Sequence, residues 1–162
     1  MKKTFLLIIC FAIMLNLAAC SSVTATRKDY LGFSKEDFTV IEEEDTHEGF
    51  HGDGSYYLIM DCTGNKEKAL ENINGWNELP LSENLNLIMY GGEKEGVAYL
   101  YNLAEEAKMP KIENGYYCFR DRASENTDSS DDTELFDRYS FNFSLAVYNS
   151  DTDMIYYFEF DT

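Results

Sequence analysis

The chain has 162 residues, a formal net charge of −17 and 15% aromatic residues, including 12 Tyr and 11 Phe. That aromatic content is too high for a disordered acidic tail, and the length fits one domain that can bury its own core. The negative charge repels nucleic acid and anionic lipid headgroups, so we expect no nucleic-acid partner. Two interpretations of the charge stay open: a cationic or envelope protein partner, or solubility alone.

The first 19 residues have the layout of an export signal. Lys2 and Lys3 precede an apolar run over residues 5–15, and the small residues Ala18 and Ala19 follow. The run is shorter than the roughly 20 apolar residues of a transmembrane helix. We therefore expect a cleaved signal and not a membrane span.

The segment Leu17-Ala18-Ala19-Cys20 resembles the lipobox of bacterial lipoproteins. The resemblance implies cleavage before Cys20, a diacylglycerol on the Cys20 thiol and acylation of the new amine, which together hold a chain firmly on a bilayer. We expect residues 1–19 to be the signal peptide, 20–32 a lipidated tether and 33–162 one domain on the extracytoplasmic face of the cell membrane. The body resembles the small uncharacterised lipoproteins of Gram-positive bacteria, which implies no activity.

Runs rich in aromatic and β-branched residues, bounded by turn residues, predict the strands of the body. These runs cover residues 37–44, 55–62, 85–90, 97–101, 116–121, 139–148 and 154–160. Helical spacing predicts an amphipathic helix at about 65–76, with Ala69, Leu70, Ile73 and Trp76 on one face, and a short helix at about 102–108. The result is an α+β domain, mainly an antiparallel sheet of about five to seven strands with the first helix on one face.

Three of the predicted strands share the spacing Y-Y-x-x-x-D. The copies are Tyr56-Tyr57 with Asp61, Tyr116-Tyr117 with Asp121, and Tyr156-Tyr157 with Asp161. Strand alternation puts the second tyrosine of each copy on the same face as its aspartate. Two interpretations stay open: tyrosines that line one binding face, or ordinary strand composition in which aspartate ends each strand.

Both histidines of the chain lie in one glycine-rich loop. His47 and His51 are four residues apart, among Asp45, Glu48 and Asp53. On a helix this spacing would suit zinc, but the glycines favour a loop, where the spacing carries little weight. The candidate metal ligands are Asp45, His47, His51 and Asp53, and the candidate acid/base residues are His47, His51 and Asp53. The alternative is a solvated turn, and we expect no cofactor.

The long acidic loop over residues 121–137 is a second candidate site. Asp128, Asp131 and Asp132 supply oxygen donors that suit calcium, but the residue spacing of a calcium-binding loop is missing. A solvated loop is therefore favoured. Arg120 and Arg122 either hold neighbouring carboxylates or grip an anionic ligand.

Two cysteines remain after the signal and the lipidation site are set aside. Cys62 and Cys118 both fall in predicted strands, and the compartment outside the membrane permits disulfides. A bridge between them and two separate thiols both stay open, because one pair is weak evidence for a disulfide framework.

No nucleophile motif or cofactor-binding motif stands out in the sequence. We expect a non-enzymatic, membrane-anchored binding module. The first alternative is a metal-dependent or acid/base hydrolase that uses His47, His51 and Asp53. The second is an immunity or inhibitor protein of the cell envelope.

Overall fold

The computed structural model describes residues 30–47, 52–123 and 128–162. They form an α+β domain, which confirms the predicted class. The strands are β1 (Thr39–Asp45), β2 (Gly54–Asp61), β3 (Asn77–Glu78), β4 (Gly92–Lys94), β5 (Val97–Tyr99), β6 (Gly115–Asp121), β7 (Asn142–Asn149) and β8 (Met154–Asp161). The helices are α1 (Lys66–Asn72), α2 (Glu83–Tyr90) and α3 (Leu103–Glu106).

Six strands form one antiparallel sheet in the order β1-β2-β8-β7-β6-β3, while β4 and β5 form a separate hairpin. The long strands β7 and β8 lie at the centre and are joined by a short turn over residues 150–153. At the edges lie β1, which carries a register shift between Val40 and Glu42, and the two-residue strand β3. Short or bulged edge strands discourage unwanted pairing with other chains.

Each face of the sheet is covered, so the domain has two apolar layers. On the first face, α2, α3 and Leu135 cover side chains that include Tyr57, Phe143 and Phe158. On the second face, α1 and the segment around Phe33 cover side chains that include Tyr56, Leu58 and Tyr157. Because both faces are covered, six consecutive residues of β7 are buried, including Ser144 and Ala146, which alternate in sequence with larger apolar residues.

The predicted strand at residues 85–90 is wrong, because this segment is part of helix α2. The Ser82 side chain accepts a hydrogen bond from the Leu85 N–H, 3.2 Å away, and so caps the helix, which ends before Gly91. Asn84, Leu85, Leu87, Ile88 and Met89 are all buried. In a short apolar run the periodicity does not distinguish a buried helix from a buried strand.

The two predicted helices are present but shorter than expected. Helix α1 ends at Asn72, followed by a turn in which Gly75 has a positive φ of 88°. Ala69 and Ile73 are buried as predicted, but Leu70 is 46% exposed and points away from the sheet. Helix α3 begins after Asn102, whose side-chain amide donates to the Glu105 carboxylate at 2.5 Å.

Two further boundaries differ from the prediction. The predicted tether extends to residue 32, but Tyr30 and Leu31 are buried in the layer on the second face of the sheet. The domain therefore includes at least residue 30. The strand predicted from residue 139 begins at Asn142, and Tyr139 is fully exposed.

Candidate functional site

The polar ends of several strands lie together at one end of the main sheet. Strand β1 ends at Asp45 and β8 ends at Asp161, while Arg122 directly follows β6. His47 lies two residues beyond β1 and reaches across to the end of β8. We call Asp45, His47, Arg122 and Asp161 the His47 cluster.

Both ring nitrogens of His47 face carboxylates. Nδ1 lies 2.7 Å from Asp45 Oδ1, and Nε2 lies 2.9 Å from Asp161 Oδ2. The Asp45 carboxylate also accepts the backbone N–H of His47 at 3.1 Å. Ionised carboxylates only accept hydrogen bonds, so both contacts are satisfied together when the imidazole ring carries a proton on each nitrogen.

Arg122 completes the cluster by binding the carboxylate of Asp161. Its Nη2 atom donates to both oxygens of Asp161 at 2.9 Å and to the Phe143 carbonyl at 3.0 Å. The Arg122 Nε atom is buried and has no hydrogen-bond partner among the described residues. The arginine therefore holds a neighbouring carboxylate, which is one of the two roles that the sequence left open.

The side chains of the His47 cluster link the ends of β1, β6 and β8, and we call this arrangement the clamp. A general base needs a ring nitrogen within hydrogen-bond reach of the substrate proton, whereas both nitrogens of His47 already contact protein carboxylates. The nearby hydroxyls of Thr46 and Ser55 lie 3.1 Å from each other. These contacts tie β1 and β2 to the end of β8.

Of the other members of the predicted histidine site, the structure describes only Asp53. Asp53 is exposed, and His51 lies outside the described residues. Within residues 30–47, 52–123 and 128–162, no group of three His, Cys, Asp or Glu side chains is placed to hold a metal ion. Asp161 and Arg122 are the partners that the histidine spacing could not reveal, because they are more than 70 residues away in sequence.

Asp161→Asn is expected to lower the free energy of unfolding by about 1–2 kcal/mol, since it removes the charge that Arg122 and His47 share while keeping the side-chain size. Urea denaturation of the full chain measures the effect. The matched control is Asp53→Asn at the exposed carboxylate nearby, which should change stability by less than about 0.5 kcal/mol. Equal effects from the two variants would show that the clamp does not stabilise the fold.

The three Y-Y-x-x-x-D copies do not form one site. Asp61, Asp121 and Asp161 each end a strand, as predicted. However, β2 runs antiparallel to β8, so Asp61 lies at the opposite end of the sheet from Asp161. Tyr57 is buried on the first face and Tyr157 on the second, which excludes a common tyrosine-lined face.

The acidic loop is tied into local turns in its described part. Asp128 Oδ1 accepts the N–H and the hydroxyl of Ser130, and these bonds hold the pKa of Asp128 below its usual range. Asp132 accepts the hydroxyl of Ser82, which joins the loop to the start of α2. Such contacts are typical of an acidic loop that is held by its own turns.

The two cysteines are not bridged. Cys62 follows β2 and Cys118 lies in β6, and two strands separate them in the sheet. Three strand spacings amount to about 14 Å, whereas a disulfide needs Cα atoms within about 7 Å. Burial raises the pKa of the Cys62 thiol to about 12, so this thiol is inert at neutral pH.

Buried tyrosines make the fold sensitive to high pH. Burial raises the pKa of Tyr148 and Tyr157, and their hydroxyls donate to Asp153 and Glu159. In the unfolded chain a tyrosine loses its proton near pH 10, while the folded chain keeps both protons at higher pH. The stabilisation is therefore complete below about pH 10 and is lost as the pH rises beyond it.

We expect the domain to unfold cooperatively above about pH 10, with these tyrosines ionising in the same step. Absorbance at 295 nm reports tyrosinate, and fluorescence of Trp76, the one tryptophan in the chain, reports unfolding. A control titration in 6 M guanidinium should show ordinary tyrosine ionisation. Complete ionisation of every tyrosine while the Trp76 signal stays native would contradict the expectation.

An exposed apolar surface lies on the β4–β5 hairpin and on the residues that directly follow it. Leu100 is 93% exposed and Val97 is 56% exposed. The neighbouring Tyr101 ring packs on Phe136 and Phe141, with centroids 5.8 and 5.7 Å apart. We call the exposed residues Val97, Leu100 and Tyr101 the apolar corner.

The sequence predicted a strand through part of this surface but not its exposure. The run Val97-Ala98-Tyr99-Leu100-Tyr101 has the composition of a buried strand, and exposure depends on what the rest of the chain leaves uncovered. In the structure a cleft of about 430 Å³ runs along Ala98, Tyr99, Leu100 and Tyr101.

Comparison of the chain with protein-family models, with curated proteins and with solved structures finds no match. The function must therefore be inferred from the surfaces described above. In the described ranges no helix is long and apolar enough to cross a bilayer.

Proposed function

We propose that the protein is a non-enzymatic binding module, anchored through a lipid on Cys20 to the outer face of the cell membrane, and that a partner protein docks on the apolar corner. The observation that carries this proposal is the exposure of Leu100 and Val97 on an acidic domain. Contiguous exposed apolar side chains on a soluble domain mark interaction surfaces.

The energetics of the corner favour a docking role. Burying a leucine side chain such as Leu100 contributes roughly 1.5–3 kcal/mol to association. The residues on either side of Leu100 in the chain are held in place by Phe136, since Tyr99 contacts Phe136 with 4.7 Å between centroids and Tyr101 also packs on it. Interfaces draw most of their energy from a few such central residues.

The surroundings of the corner suggest the charge of the partner. Glu93 and Glu95 are exposed on the same hairpin, and Glu134 and Asp137 are exposed on either side of Phe136. An acidic rim around an apolar centre accelerates association with a basic surface and repels other acidic ones. A second copy of this chain would bring two acidic rims together, so a basic partner protein is favoured.

A hydrolase at the His47 cluster is the less favoured function. Its strongest support is the 2.7 Å contact between His47 and Asp45, the pairing that orients a catalytic histidine. The second contact, from Nε2 to Asp161, occupies the nitrogen that would serve the substrate. An immunity or inhibitor protein is compatible with the proposal, because such a protein also acts by docking on a partner.

The test is affinity capture from the envelope fraction with the full-length protein, comparing Leu100→Asp with Leu70→Asp. Leu70 is the matched control, since it is also exposed but lies on α1 at the other face of the sheet. We expect Leu100→Asp to reduce recovery of one basic protein at least tenfold, and Leu70→Asp to leave it unchanged. Equal recovery with both variants would refute docking at the apolar corner.

A further inference from the structure

Strand β5 is an unprotected edge beside the apolar corner. It pairs with β4 on one side, and among the described residues no strand pairs with its other side. The residues from Val97 to Tyr101 carry no charge and no proline. Natural edge strands are usually protected by charges, prolines or bulges.

The outer edge of the main sheet shows that this chain does protect other edges. Strand β1 carries three consecutive glutamates and a bulge next to Val40. Glu42 pairs with Lys108, and Glu43 pairs with Lys35. The charged edge of β1 is protected, whereas the apolar edge of β5 is available to pair with a strand of another chain.

The hairpin geometry fixes which backbone groups of β5 point outward. Its two turn residues, Glu95 and Gly96, both have positive φ, 52° and 79°, as in a type I′ turn. A two-residue turn makes Lys94 and Val97 the closing hydrogen-bonded pair, and bonding alternates along an antiparallel ladder. Ala98, opposite Glu93, therefore directs its N–H and C=O away from β4.

The backbone beyond β5 continues this alternation. A Cβ atom on Gly91 would lie 3.0 Å from the Tyr99 carbonyl oxygen and 2.9 Å from that of Tyr101, so both carbonyls face the β4 side. By alternation, the backbone groups of Ala98 and Leu100 face the cleft. These two residues offer two donors and two acceptors to an incoming strand.

We propose that the partner protein inserts an extended segment with alternating apolar and basic residues, which adds to the outer edge of β5 as a third strand. This inference rests on the proposed function, because it describes how the partner uses the apolar corner. Strand addition provides main-chain hydrogen bonds, while alternate side chains provide specificity. The apolar side chains of the segment lie on the face of Val97 and Tyr99, and its basic side chains lie on the opposite face with Glu93, which is paired with Ala98.

The probe is the synthetic peptide Lys-Val-Lys-Val-Lys-Val-Lys, added to the full-length protein in phosphatidylcholine nanodiscs. Amide hydrogen exchange is expected to slow at least fivefold at Ala98 and Leu100, and to stay unchanged at Tyr99, which already pairs with Gly92. The counterpart with glutamate in place of lysine should give no protection. Absence of protection at Ala98 and Leu100 with the lysine peptide would overturn strand addition.

The matched variants are Ala98→Pro and Ala98→Ser. Proline removes the outward N–H and should weaken peptide binding at least tenfold, whereas serine keeps the N–H and should bind like the parent. If Ala98→Pro does not fold, the hydrogen-exchange measurement on the parent chain still tests strand addition to β5. A dimer that protects the same amides without peptide would overturn the basic partner in favour of a second copy.

These outcomes separate the inference from the proposed function. If Ala98→Pro still recovers the envelope partner while Leu100→Asp does not, strand addition is refuted and docking at the apolar corner stands. If both variants recover the partner like the parent, both proposals fail.

Discussion

Replacing Gly115 by alanine is expected to lower the free energy of unfolding by about 3 kcal/mol or more, the largest effect of any single methyl group that we expect in this chain. Gly115 begins β6 with a φ of 153°, a conformation that other residues rarely adopt. A Cβ atom at this position would lie 1.9 Å from the Tyr148 carbonyl oxygen. In Gly115→Ala the backbone must therefore shift before β6 and β7 can pair.

Urea denaturation measures the effect of Gly115→Ala against the control Gly64→Ala. Gly64 lies in the turn before α1, and a Cβ atom there would meet no heavy atom within 4 Å. The control should change stability by less than about 0.5 kcal/mol. If Gly115→Ala were as mild as the control, the close contact between β6 and the end of β7 would be wrong.

Replacing Cys20 by alanine is expected to abolish lipid attachment completely. One thiol carries the proposed diacylglycerol, and without acyl chains a chain with a formal net charge of −17 is repelled by an anionic membrane. Cys20 precedes the described domain, which begins by Tyr30, so the variant should keep its stability. Metabolic labelling with palmitate and membrane fractionation measure the outcome.

The control for Cys20→Ala is Cys10→Ala, at the other cysteine of the N-terminal segment. Cys10 lies in the proposed signal peptide and should not affect labelling. Palmitate incorporation into Cys20→Ala, together with retention in the membrane fraction, would refute the lipid anchor. Loss of labelling in both variants would show that Cys20 is not the specific acceptor.

Most of the fold could be predicted from local sequence patterns. The strands of the central sheet were predictable because Tyr57, Leu145 and Phe158 lie in aromatic and β-branched runs bounded by turn residues. The α2 segment could not be assigned, since all four of its central apolar residues are buried and the run is too short to show a clear helical period. Its identity depends on the Ser82 cap and on tertiary packing.

The functional surfaces were harder to predict, because they depend on contacts between distant parts of the chain. The sequence identified His47 and Asp45 as neighbours, but the sheet brings Asp161 and Arg122 to them. This network turns a candidate acid/base pair into a clamp. The exposure of Leu100 follows from what α2, α3 and the sheet leave uncovered, which no local pattern contains.

Site-specific photo-cross-linking in the cell envelope tests docking at the apolar corner most directly. A benzoylphenylalanine is placed at position 100 of the full-length protein, with position 70 as the control on the other face. We predict that position 100 yields an adduct with one basic protein and that position 70 does not. No adduct at position 100, or the same adducts from both positions, would contradict the claim that this surface binds a partner.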